Sequence, residues 1–102
     1  MRALRLHADR DLRLEQVAPP PPPGPGEVTL RIKAVALNHI DVWGFRGMAF
    51  AKREMPLIVG AEAVGEVVAV GEGVTAWRVG DRAAPYGALT CGKCRRCLAG
   101  QD

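Results

Sequence analysis

Residues 27–38 read EVTLRIKAVALN. Val28, Leu30, Ile32 and Ala34 alternate with Thr29, Arg31 and Lys33, which sets one group of side chains on a buried sheet face and the other in water. A second long β region follows at 57–74, LIVGAEAVGEVVAVGEGV, where Gly60, Gly65 and Gly71 mark bulges or sharp bends that curl a sheet. Two shorter strands precede them, MRALRLH and DLRLEQV, with ADRD as a polar turn between. Downstream, WRVGDRAAPYG supplies a turn at Gly80 and Asp81 and one more short strand. Many short strands joined by Gly-rich turns predict a mainly β fold, a small, partly open barrel.

Between the strands lie three segments of other character. APPPPPGPG, residues 18–26, is an extended, stiff surface connector, because consecutive prolines hold the polyproline conformation and strand signals flank it on both sides. HIDVWGFRG, residues 39–47, changes period, and Ile40, Trp43 and Phe45 suit one side of a short helix that Gly47 ends. MAFAKREMP, residues 48–56, reads as a loop. Gly71, Gly73 and Ala76 match the spacing of a dinucleotide fingerprint, which works only if a helix starts at once and aims its amides at a pyrophosphate. WRVGDR brings another turn instead, so the glycines belong to a connecting turn.

With 102 residues the chain has room for one domain and not two. Its 48% hydrophobic and 25% charged residues exclude a disordered or fibrous chain. A net charge of +3, with arginines spread along the chain and few aromatics, argues against a nucleic-acid footprint. No segment has the ~20 apolar residues of a membrane span, and MRALRLHADR lacks the apolar stretch of a signal peptide. All three cysteines fall within residues 91–97, which suits reduced thiols on a metal and a cytoplasmic address better than a disulfide framework.

CGKCRRCLAGQD, residues 91–102, carries the most specific chemistry. Thiolates at Cys91, Cys94 and Cys97 can turn inward from a tight loop, with Gly92 freeing the backbone and Lys93, Arg95 and Arg96 offsetting negative charge. An iron–sulfur run would place its next cysteine at position 101, which is Gln101. Zinc is therefore the expected ion, with a fourth ligand beyond Asp102 or, less well, Asp102 itself or a water.

GPGEVTLRIKAVALNHIDVW, GAEAVGEVVAVGEGVTAWRVGDR and CGKCRRCLAGQD occur in the order found in one family. Over residues 1–102 the chain resembles the N-terminal, GroES-like catalytic domain of the medium-chain dehydrogenase/reductase family, which includes zinc-type alcohol dehydrogenases and quinone oxidoreductases. The resemblance implies a GroES-like barrel with short helices and a structural-zinc lobe at 91–102, cut before a fourth cysteine expected at position 105. It implies a larger parent whose Rossmann domain binds NAD(P) and which is commonly a homo-oligomer.

The departures narrow the expectation. Zinc-dependent members place a catalytic Cys where this chain has Asn38 and a His where it has Ala61, and Ile40 replaces the hydroxyl that relays the alcohol proton. An amide is a poor zinc ligand and a methyl is none. The pattern is similar to the zinc-independent quinone and enoyl reductase branch, whose members pass hydride from a nicotinamide to an activated carbonyl compound, enone or quinone. By the same resemblance Asn38 faces the nicotinamide and substrate, His39 approaches the cofactor pyrophosphate and Trp43 lines the same cleft. Asp41 and Glu62 match carboxylates that stand behind the usual metal position, where Glu62 would otherwise form a buried pair with an arginine. The alternatives are a zinc-dependent alcohol dehydrogenase with altered ligands and a stand-alone co-chaperonin-like module, although the latter would need neither the cysteine triplet nor NHID.

Overall fold

The computed structural model describes residues 1–48, 52–87 and 89–101. Eight elements follow in order: β1 (Arg2–Ala8), β2 (Asp11–Gln16), β3 (Val28–Ala36), α1 (His39–Phe45), β4 (Leu57–Ile58), β5 (Glu62–Val70), β6 (Arg82–Ala83) and α2 (Arg95–Leu98). They form two antiparallel three-stranded sheets, ordered β2-β1-β4 and β3-β5-β6. The sheets stay open at their edges, as the expected partly open barrel requires. ADRD makes the β1–β2 turn, with Arg10 in the left-handed region at φ 64°.

Residues 57–74 are not one strand. β4 pairs with β1, Arg5 opposite Ile58 and Leu6 opposite Leu57, while β5 crosses to the other sheet and pairs with β3. The chain changes sheet at Val59–Ala61, where the Gly60 N–H leaves the ladder and donates to Asp41 Oδ1 at 3.0 Å. That break makes the floor of the site described below.

The expected clean alternation in β3 also fails. Val28 and Leu30 are half-buried, but Ile32 is 48% exposed and Ala34 is exposed. The β3–β5 register shifts between Thr29 and Leu30 and again between Ile32 and Ala34, and from Arg31 to Ala36 both faces of the strand are exposed, so its apolar face lacks cover there among the described residues. Gly65 stands opposite the second shift, beside Ile32, where the glycine pattern anticipated a bend.

Among the described residues the buried hydrophobic side chains are Ala3 and Leu6 on β1, Val67 on β5 and Ala83 on β6, so the core is small and shared between the two sheets. A core this small leaves Val35, Leu37, Ile40 and Trp43 each at least 43% exposed. An exposed apolar expanse of that kind marks a surface that meets something else.

The proline connector ends in a latch rather than a free tail. Gly26 N–H donates to Glu72 O at 2.9 Å, and Gly71 N–H donates to Glu27 O at 2.8 Å. A Cβ at Gly71 would stand 1.8 Å from Gly24 O, so only glycine admits this approach. No helix begins directly after Gly73, where residues 74–81 form turns and coil, in keeping with the connecting turn expected there. Among the described residues no helix is long and apolar enough to cross a membrane.

Candidate functional site: a cleft and a cysteine loop

Helix α1 begins where β3 ends, with Asn38 as its N-cap in an extended conformation. Asp41, in the first turn, reaches back so that its Oδ2 accepts from Asn38 N–H at 2.8 Å, while its Oδ1 accepts from Gly60 N–H. A carboxylate in a helix's first turn also suits the positive end of the helix dipole. One side chain thus joins the start of α1 to the sheet-switching segment. It orients backbone rather than cleft side chains, and it takes no arginine partner among the described residues.

The other end of α1 is fastened separately. Arg53 Nη1 donates to Gly44 O at 2.7 Å, its Nη2 donates to Asp9 Oδ1 at 3.3 Å, and Arg10 N–H donates to Phe45 O at 2.7 Å. These donors satisfy carbonyls that the short helix leaves without internal partners. Gly47 follows with φ 82°, ending the helix as its sequence implies.

Asn38, Ile40, Ala61, Glu62 and Tyr86 line one open cavity of about 560 Å³. Trp43 and Asp41 do not share it. They stand on the far side of Ile40, in an adjoining cavity of about 400 Å³. The cleft that the resemblance assigns jointly to Asn38 and Trp43 is therefore divided by Ile40. His39 lines neither cavity, and its ring lies 6.2 Å from that of Trp43, tilted by 40°.

Glu62 differs from expectation in one respect. It is exposed and, among the described residues, its carboxylate has no ion-pair partner, because β5 begins at this residue and leaves the side chain facing the open cavity. Two contributors escaped the sequence reading. Tyr86, 72% exposed in the coil before the cysteine loop, carried no signal beyond an aromatic beside Pro85. Arg53 had none, since its partners lie elsewhere in the chain.

The cysteine loop is built by local bonds. Cys94 caps α2, its sulfur accepting from Cys97 N–H at 3.5 Å, and Cys91 Sγ accepts from Cys94 N–H at 3.4 Å. Gly92, at φ 70°, permits the turn. The three Sγ atoms lie within 4.8 Å of one another, with Cys94–Cys97 at 3.4 Å and Cys91–Cys97 at 3.7 Å. Sulfurs about 2.3 Å from a zinc ion in a tetrahedron stand about 3.8 Å apart, so the loop is already near ligand geometry. Hydrogen bonds from the Lys93 and then the Cys94 backbone hold the Cys91 thiol down at about 7. The Cys94 thiol, bonding to Cys97, lowers the latter's pKa as well. Both shifts favour the thiolate that a metal requires. Asp102, the alternative fourth ligand, lies outside the described residues.

Comparison with known proteins follows the same lines. The family model for the alcohol dehydrogenase GroES-like domain matches residues 24–102. L-threonine 3-dehydrogenase of Idiomarina loihiensis is 36% identical over 104 aligned positions, covering 99% of this chain and 30% of that protein. Among solved structures, an NAD-dependent alcohol dehydrogenase superposes with a TM-score of 0.90 at 45% identity, over 100% of this chain and 30% of that one. The cobalt- and zinc-bound thermostable alcohol dehydrogenase of Pyrobaculum aerophilum superposes at 0.84 with 40% identity, over 99% of this chain and 31% of that one. The chain spans about 30% of the length of the relatives it matches. It belongs to the alcohol dehydrogenase GroES-like domain family.

Proposed function

We propose, from that membership, that this chain is the substrate-facing N-terminal domain of an NAD(P)-dependent oxidoreductase, with one structural zinc held by Cys91, Cys94 and Cys97. The nicotinamide supplies or accepts a hydride at a carbon that is, or becomes, a carbonyl carbon or its conjugated neighbour; this chain's residues do the rest. Asn38 offers an amide to the substrate oxygen, Tyr86 borders the same cavity, and Asp41 fixes the spacing between Asn38 and the sheet-switching segment at Gly60. His39, at the start of α1 and exposed, is placed to meet an anionic cofactor group.

The reacting centre works without a metal in this reading. Its support is the donor set: Asn38, Ala61 and Glu62 provide an amide, a methyl and a single carboxylate. One carboxylate with an amide does not make a zinc site, whereas three convergent thiolates nearly do. This favours a reductase of carbonyl compounds, enones or quinones. The unpaired carboxylate of Glu62 is the observation that favours the zinc-dependent alternative, because it leaves one strong ligand in the cleft.

Steady-state assay of the full-length protein with NADH or NADPH, before and after dialysis against a chelator that strips weakly held ions, tests the reading. Turnover that survives dialysis supports a metal-free centre. Turnover abolished by dialysis and restored by zinc, with the cysteine-loop zinc still counted, contradicts it. Residues 1–102 alone are expected to show no turnover, since they contain no cofactor fingerprint followed by a helix.

A further inference from the structure

Pro19–Pro23 stand outside both the cleft and the cysteine loop. Each pyrrolidine ring fixes φ, and each following proline bars the helical region. With trans peptide bonds the run therefore takes the left-handed polyproline helix, about three residues to a turn and about 3.1 Å per residue. It is fastened at both ends and free between them. Before it, the Met1 amine donates to Val17 O at 2.7 Å and Val17 N–H donates to Met1 O at 2.8 Å. After it, Pro25 and Gly26 take the central places of a turn closed by Glu27 N–H to Gly24 O at 3.0 Å, with Gly26 at φ 76°. The Gly26–Glu72 bond ties that turn to the rest of the domain. Among the described residues, no hydrogen bond involves residues 18–23.

Pro19–Pro22 are exposed and Pro23 is half-buried. At three residues per turn, Pro20 and Pro23 share the edge turned toward the domain, while Pro19 and Pro22 share an edge turned to solvent. The rings form an apolar ridge, and its backbone offers carbonyl acceptors without a single N–H donor. No charged residue lies between Gln16 and Glu27, and the Glu27 carboxylate already accepts from Gly24 N–H at 2.9 Å. A complementary surface is therefore neutral and apolar, with donors at its edges. Flat aromatic rings that straddle the ridge meet these conditions, when a Trp N–H or a Tyr O–H reaches the carbonyls. An acidic groove does not, because it needs a basic side chain beside the prolines. The rings and the two end clamps have already ordered the run, so docking costs little further chain entropy.

We propose that Pro19–Pro23 is a docking ridge for a partner protein whose neutral groove is lined by Trp and Tyr rings, gripped chiefly through Pro19 and Pro22. It is an interaction surface separate from the cleft and independent of the oxidoreductase reading.

The test titrates the full-length protein into an isotope-labelled WW domain, whose groove is lined by aromatic rings, and follows the domain's amide and indole resonances by NMR. Saturable shifts confined to the groove, reversed by excess oligoproline peptide, are expected. The double variant Pro19→Ala, Pro22→Ala should weaken binding by roughly 10-fold, and Pro23→Ala by less. Thermal unfolding checks that each variant is folded. If the double variant is not, Pro19→Glu alone is used, and its charge on the exposed edge should abolish binding to a neutral groove. Absence of shifts with the unaltered protein overturns the assignment, as does binding that oligoproline fails to displace. Unchanged affinity in the folded double variant, or in Pro19→Glu, overturns it equally.

Discussion

In the loop at 91–97 three sulfurs converge within 4.8 Å, ordered by hydrogen bonds from residues no more than three positions away. In the cleft at 38–62 an amide, a methyl and one carboxylate face a cavity, and the carboxylate in the adjoining cavity, Asp41, accepts from two backbone N–H groups. On the proposed reading, one domain keeps a metal where it would be structural and does without it where it would be chemical. The loop has almost no apolar burial to hold it, so a cation among its thiolates would supply the order that packing does not. The cleft has a peptide-to-carboxylate clamp that joins the start of α1 to the sheet-switching segment.

Removing one thiolate should break the comparison most severely. Cys94→Ser in the full-length protein is expected to lower zinc content from one per chain toward zero. Stability should fall by several kcal/mol, a fraction of the ~10–16 kcal/mol that structural zinc can contribute to small domains. Metal analysis and thermal unfolding check both. Asn38→Ala should leave the zinc count unchanged, and a lost zinc there would mean that the cleft holds one.

The clamp comes next. Asp41→Ala leaves two N–H groups without their acceptor and is expected to cost about 2 kcal/mol in urea unfolding. Asp41→Asn, which keeps one acceptor, should lose less. Equal losses would show that charge, not hydrogen bonding, sets the cleft.

Protons and zinc compete for the loop. Because Cys91 is held at about 7, below the ordinary thiol value of 9.0, its thiolate is available at neutral pH. Apparent zinc affinity is therefore expected to fall steeply as pH drops below about 7, in a chelator-competition titration. Affinity that showed no further fall below about pH 7 would contradict this.

The smallest effect belongs to a side-chain pair across β1 and β2. His7 Nε2–H donates to both Glu15 oxygens at 2.9 Å, and this bond holds the Glu15 carboxyl below its ordinary 4.5. A folded value below the unfolded one means the unfolded chain binds the proton more readily. The contribution is present above about pH 4.5 and is lost as pH falls through the folded value. Glu15→Gln should therefore flatten the acid limb of the stability profile and change little at pH 8.

How far the sequence showed these two regions follows from the range of their contacts. The cysteine spacing and the role of Gly92 are local and were legible, whereas the one-turn helix Arg95–Leu98 carried no sequence signal that was read. Asn38, Ala61 and Ile40 were legible as departures from a family pattern. A bend at Gly60 was legible from the glycine, but the change of sheet there was not, because it depends on Asp41, nineteen positions earlier, drawing away the Gly60 N–H. The exposure of Ile32 and Ala34 was hidden for a different reason, since alternation within a strand names its apolar face and does not say whether another element covers it. Arg53 and Tyr86 reach the site from loops whose composition says nothing of their destination.

The most direct test is a zinc count by plasma mass spectrometry on the full-length protein and its Cys94→Ser and Glu62→Gln variants. One zinc per chain, lost in Cys94→Ser and kept in Glu62→Gln, is the expected result. Two zinc ions per chain, or one that survives Cys94→Ser and disappears in Glu62→Gln, would contradict a structural loop metal paired with a metal-free cleft.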